Sequence, residues 1–198
     1  MKVRIYFSRH KRNLEPLVRG GSIPAEPVKS VVAIIRKRDN RPICSGTLIS
    51  DNTVLTAAHC FQEDDVTNIK IVAGEMDIVF GKKAVTRSIK MLKIHPDYKY
   101  IADKRNDKVR VQLIDADLAL LELDKPFDLE NHDNIAKAEL PTFSMKLTNK
   151  LVQIGGWGLT TTLSTSQGSK DFLSINITIK TSRECSETYK DGSFFPDR

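Results

Sequence analysis

The 198 residues hold only 3 cysteines and 4 histidines, and no apolar run approaches the length of a membrane span. Without about 18 uninterrupted apolar residues, no transmembrane helix is expected and no membrane partner. Neither Cys-x-x-Cys nor His-Glu-x-x-His occurs, and the histidines and cysteines are dispersed along the chain. No metal site and no cofactor is expected from such spacing. Met1 to His10 lacks the apolar core of a secretory leader. No internal repeat or low-complexity tract is present. The net charge of +6 comes from 31 Lys and Arg interleaved with 25 acids. That mixture reads as a solvated surface, whereas a nucleic-acid partner wants a basic stripe on one face.

With 40% hydrophobic and 28% charged residues, the chain is globular and long enough for one domain or two small ones. The text is all-β from Val28 onward. Val31 to Ile35 is β-branched and bounded by polar residues, and further strands are expected at Ile43 to Ile49, Thr53 to Leu55, Asn68 to Val72, Ser88 to Ile94 and Asp117 to Leu123. The turn signals Asp39-Asn40, Asp51-Asn52 and Gly81-Lys82 fall between them. Short strands at this spacing suggest a closed Greek-key barrel. Ala57 to Phe61 is expected to make one helical turn. Phe172 to Lys180 alternates strictly, with Leu173, Ile175, Ile177 and Ile179 on one side. Asn176-Ile177-Thr178 on the polar side is an N-glycosylation sequon.

Five segments stand in a telling order. Gly20-Gly21 precedes the first strand, followed by Leu55-Thr56-Ala57-Ala58-His59-Cys60, Asp115-Ala116-Asp117-Leu118-Ala119-Leu120-Leu121, Gly155-Gly156-Trp157-Gly158, and Cys185 with Tyr189 four residues on. The set resembles the chymotrypsin-like serine peptidases over nearly the whole chain. The resemblance implies two six-stranded Greek-key barrels, the first complete and the second only partly present. It divides the chain into a basic arm at 1–16, a first barrel at 17–124, a connector at 125–141 and an incomplete second barrel at 142–198. His59 matches the family's general base, and Asp117 matches the carboxylate that orients it. Cys44, sixteen residues before Cys60, would crosslink to it and pin the histidine's loop to the preceding strand. Closing a loop of that length is worth roughly 3 kcal/mol in the chain-entropy model. Cys185 resembles a half-cystine whose partner falls beyond Arg198.

The departures matter as much. Leu17-Val18-Arg19-Gly20-Gly21 stands where the family has Ile-Val-Gly-Gly, and no basic residue precedes Leu17. Tryptic activation is therefore not expected. The stretch between Tyr98 and Asp117 is longer than the family's, and Asp103 to Arg110 reads as an exposed, net-positive insertion near the substrate groove. His95, in His95-Pro96-Asp97-Tyr98, is read as structural. No serine sits in a Gly-Asp-Ser-Gly-Gly context, and Asp191-Gly192-Ser193 is only a rearranged echo. The expectation is a serine endopeptidase family member that carries the base and its orienter, acts on protein or peptide substrates in a full-length form, and is inactive alone. The alternative is a non-catalytic protease homologue that binds or regulates partners. By resemblance the protein is extracellular and monomeric, and the tail after about Leu163 is expected to be poorly anchored or aggregation-prone.

Overall fold

The computed structural model describes residues 22–24, 28–62, 64–78, 81–105, 108–142, 145–157 and 171–188, of which 102–105, 108–113, 186 and 188 are described by backbone only. The arm at 1–16, the segment Leu17–Gly21, Gly158, Tyr189 and the Asp191–Ser193 echo lie outside the described residues. The strands run in chain order as β1 (Val31–Arg36), β2 (Arg41–Leu48), β3 (Thr53–Thr56), β4 (Ile69–Ala73), β5 (Val85–Ile94), β6 (Lys99–Arg105), β7 (Lys108–Asp115), β8 (Ala119–Leu123), β9 (Leu151–Gly156) and β10 (Leu173–Thr178). Six of them close into a barrel in the order β1-β2-β3-β8-β5-β4. All six coincide with the runs expected from the sequence, because each run has a β-branched or leucine-rich face to bury. On β8 the faces separate cleanly: Ala119, Leu121 and Leu123 are buried while Leu120 is exposed.

β1 is buried on both sides. Val32 and Ile34 enter the barrel interior with Leu48, Val54, Ile69, Ile71 and Leu121. Ala33 and Ile35, on the opposite face, pack with Val72, Trp157 and Phe172 outside the barrel. That is why Val31 to Ile35 reads as a continuous apolar run instead of an alternation. The β1–β2 turn is tied by Arg36, whose guanidinium meets Asp39 at 2.7 Å and Asp64 at 3.4 Å. Its hydrogen bond to Arg36, above all, holds the Asp39 carboxyl down at about 2.

In the place expected for a second barrel, the described residues form a two-stranded antiparallel sheet of β9 and β10. It is docked, which differs from the weak anchoring expected after Leu163. The Phe172 ring is buried and meets Trp157 edge-on, with centroids 4.9 Å apart and planes at 69°. The Trp157 indole N–H donates to the Met76 carbonyl at 2.7 Å, and the Phe172 amide donates to the same oxygen at 3.0 Å. Ser22 and Ser174 exchange backbone hydrogen bonds of 3.0 and 2.9 Å. Phe172, just before β10, and Ser174 within it therefore face inward, while Ile177 of β10 and Ile154 of β9 are each 40% exposed. Helix α1 (Ser182–Thr188) follows, opened by a reciprocal cap. The Thr181 hydroxyl accepts from the Glu184 amide at 3.1 Å, and Glu184 accepts from the Thr181 amide at 2.9 Å. No described helix is long and apolar enough to cross a membrane.

The stretch read as an insertion is a β-hairpin. β6 and β7 pair from Lys99↔Asp115 to Arg105↔Lys108, with a register shift between Ile101 and Ala102. Val109, Val111 and Leu113 alternate with Arg110 and Gln112, a period-two signal that could have marked β7 in the sequence.

Two stability changes are expected. Phe172→Ala should cost about 3–5 kcal/mol and speed amide exchange across 173–178, while amides of β1 stay protected. Unchanged exchange would show that the sheet does not hang on this ring. For Asp39 the folded value is depressed, so its contribution is present above its unfolded value and lost as pH falls toward about 2. Asp39→Asn should lower Tm at neutral pH, and the gap to wild type should close near pH 2 in calorimetry.

Candidate active site

β3 and β8 are hydrogen-bonded neighbours in the barrel, and Thr56 lies opposite Ala119. The chain leaving β3 and the chain entering β8 are therefore side by side at one end. The first carries Ala57 and then a single 3-10 turn, Ala58–Phe61, which holds His59. The second carries Asp117 in the loop just before β8, two residues short of the strand on which the sequence pattern had placed it. Ala116 adopts a left-handed conformation at φ 48°. That turn directs Asp117 inward, and it is closed by a 2.7 Å hydrogen bond from the Leu118 amide to the Ala116 carbonyl.

The Asp117 carboxylate bridges the histidine twice. Oδ1 accepts the His59 backbone N–H at 2.8 Å, and Oδ2 lies 2.7 Å from Nδ1 of the ring. The aspartate side chain is 1% exposed and the histidine 34%. A carboxylate so deeply buried demands donors on both oxygens, and His59 supplies one to each. With Oδ2 as the acceptor, the ring proton sits on Nδ1, so the lone pair of the neutral ring sits on Nε2. The arrangement presents a base of fixed tautomer at a half-open surface, backed by a buried negative charge.

Cys44, on β2, is bonded to Cys60 across a Cα separation of 6.1 Å, which ties the 3-10 turn to the barrel wall. The Thr56 hydroxyl donates to the Ser45 carbonyl at 3.0 Å and fastens β3 to β2. Cys185 is a free thiol on α1, half-buried. Asn176 is exposed on β10, opposite Gln153 of β9. Among the described residues one His/Cys/Asp/Glu group stands at metal-ligand distances, Cys44 with His59 and Cys60, and its two sulfurs are bonded to each other.

His95 contributes through its backbone. Its amide donates to the Leu118 carbonyl at 2.9 Å, next to Asp117, and its Nδ1 accepts from the Asp97 amide at 3.1 Å. Two residues that sequence reasoning passed over border the site. The Gln62 amide donates to the Tyr98 hydroxyl at 2.6 Å. Burial, and then the negative charge of Asp117, raises the Tyr98 phenol above its ordinary value. Tyr98 could have been suspected from its place in His95-Pro96-Asp97-Tyr98, whereas nothing in the sequence marks Gln62 or the left-handed Ala116.

The family described as Trypsin matches residues 18–195. Submandibular glandular kallikrein-9 of Rattus norvegicus is 31% identical over 149 residues, covering 75% of this chain and 54% of that protein. Tonin of the same species is 30% identical over 154 residues, covering 77% and 56%. Alpha-fibrinogenase albofibrase of Trimeresurus albolabris is 28% identical over 187 residues, covering 94% and 65%. The chain thus spans about half the length of the first two, at 54% and 56%. Among solved structures, the scabies mite inactivated protease paralogue S-D1 superposes with a TM-score of 0.65 at 21% identity, covering 88% of this chain and 67% of that one. At that identity the likeness speaks to the fold alone.

Asp117→Asn should leave the barrel folded and remove the charge that faces Tyr98. One cause of the raised phenol value would go while burial remained, so Tyr98 should titrate at lower pH than in wild type, though still above a free tyrosine. Carbon-13 NMR of the tyrosine ring reads this directly. An unchanged Tyr98 titration would mean that the Asp117 side chain does not act on the phenol.

Proposed function

The chain belongs to the trypsin family of serine peptidases, and from that premise we propose that His59 and Asp117 are the base and the orienting carboxylate of a Ser-His-Asp endopeptidase. The observation that carries the reading is the 2.7 Å contact between Nδ1 of a half-exposed ring and a carboxylate that is 1% exposed. In acyl transfer to serine, Nε2 takes the hydroxyl proton during attack on the peptide carbonyl and then delivers it to the departing amine. Asp117 keeps the proton on Nδ1 and offsets the charge of the imidazolium that forms between those steps. Substrates in this reading are proteins or peptides, met by a monomer without nucleic-acid or membrane partners. The Cys44–Cys60 bond suits an oxidising, extracellular setting.

None of the serines in these 198 residues stands in the family's Gly-Asp-Ser-Gly-Gly context. The backbone donors that would hold the oxyanion accompany that segment. A base contributes about 10²–10⁴-fold only to a positioned nucleophile, so this polypeptide by itself does not turn over peptide bonds. A second reading is a protease homologue that binds or regulates partners. The intact His59–Asp117 pair weighs against it, since a binding surface has no chemical need of a fixed tautomer.

Fluorophosphonates label only an activated serine. The 198-residue polypeptide should stay unlabelled, and labelling would overturn its inactivity. Reading the transcript past the codon for Arg198 separates the two functions. A product carrying the nucleophile segment should be labelled, lose labelling in His59→Ala, and lose about 10⁴-fold in kcat in Asp117→Asn, which would favour the wrong tautomer of the ring. Undiminished labelling of His59→Ala would remove the assigned role. A transcript without that segment leaves the binding reading.

A further inference from the structure

We propose that reduction of the Cys44–Cys60 bond uncovers a three-ligand site for a thiophilic divalent cation of the zinc class, made of both sulfurs and Nε2 of His59. The sulfur and ring-nitrogen atoms of Cys44, His59 and Cys60 already lie within 4.8 Å of one another, and Cys60 Sγ is 3.9 Å from Nε2. Around tetrahedral zinc, with bonds of about 2.3 Å to sulfur and 2.0–2.1 Å to nitrogen, neighbouring ligands stand about 3.5–3.8 Å apart. The nitrogen and the Cys60 sulfur need to move only by tenths of an ångström to meet that spacing. The two sulfurs must part by less than about 2 Å once their bond is gone, within reach of side-chain rotation.

The rest of the surroundings suit a metal. Metal-bound histidines usually donate their other ring N–H to a carboxylate, which fixes the ring and raises the basicity of the bound nitrogen. Asp117 already stands 2.7 Å from Nδ1. The ring is 34% exposed, so an ion and a fourth, water ligand can reach it from solvent. The three residues come from β2 and the 3-10 turn after β3, two elements that the barrel holds side by side. Two thiolates and one imidazole favour zinc-class ions over magnesium or calcium, which seek oxygen.

The chemistry balances in two steps. A dithiol or phosphine reductant passes two electrons to the disulfide, and two protons complete two thiols while the reductant is oxidised. The divalent ion then takes both sulfurs as thiolates and releases two protons. Under the proposed peptidase role the bound ion would occupy the nitrogen that accepts the serine proton, so a reduced, metal-loaded site would be switched off. The site itself does not depend on that role, and the experiment below reads metal binding alone.

The test uses the 198-residue protein carrying Cys185→Ser, which leaves two thiols, reduced with a phosphine and titrated with Co2+. One Co2+ should bind per chain, with the visible bands of tetrahedral cobalt and sulfur-to-cobalt charge transfer, and Zn2+ should displace it. The oxidised protein should show neither signal. Cys60→Ser should weaken binding and lower the charge-transfer band to half or less, and His59→Ala should weaken binding at least tenfold. Asp117→Asn should weaken it by about 10-fold or more while leaving the ligand set unchanged. Binding as tight in His59→Ala, or in the same reduced chain denatured in guanidinium, would overturn the site, as would the absence of charge transfer. If reduction alone unfolds the barrel, Zn2+ must restore the native circular dichroism, because binding to the folded form stabilises it by mass action. Failure to restore it also overturns the proposal.

Discussion

The register between β3 and β8 is the constraint on which the site depends. Thr56 opposite Ala119 brings a 3-10 turn and a loop to the same end of the barrel, although His59 and Asp117 are 58 residues apart in the chain. The ladder alone brings them near, and the aspartate completes the fit by accepting from both the backbone and the ring of His59. A slip of one residue would turn Leu121 out of the core and carry Asp117 away from the turn. Core packing and site geometry are thus enforced together. Leu121 and Leu123 are sealed among Leu48, Val54 and Ile71, so the register is held by apolar burial.

The same barrel supports the second sheet from outside. Because β1 buries both faces, Ala33 and Ile35 give Trp157 and Phe172 an apolar wall that the barrel interior does not need. Two hydrogen bonds to the Met76 carbonyl align that contact, one from the indole and one from the Phe172 backbone. Docking satisfies one face of β9–β10, whereas Ile154 and Ile177 are left partly in solvent on the other.

The crosslink beside His59 is a structural tether that contains two masked ligands. In the oxidised form each sulfur is committed to its partner, and the linkage holds the histidine's turn to β2. The buried carboxylate behind the ring serves either occupant of Nε2, a proton or a metal ion, because both place positive charge on the imidazole.

Much of this was legible in the chain as text. The six barrel strands follow from β-branched runs with turn residues between them. The family resemblance put His59, Asp117, Cys44 and Cys60 together before any coordinates. Local pattern went no further where the decisive contacts are long-range. The docking of Phe172 needed Trp157 and Met76 in place. The bracket of Gln62 on Tyr98 and the left-handed Ala116 have no signature in composition or period. The residue types and their order determined which strands form and which side chains are proposed to carry the chemistry. Only barrel closure decided that an imidazole, a carboxylate and two sulfurs share one corner, because distance in space is set by strand register and not by separation along the chain.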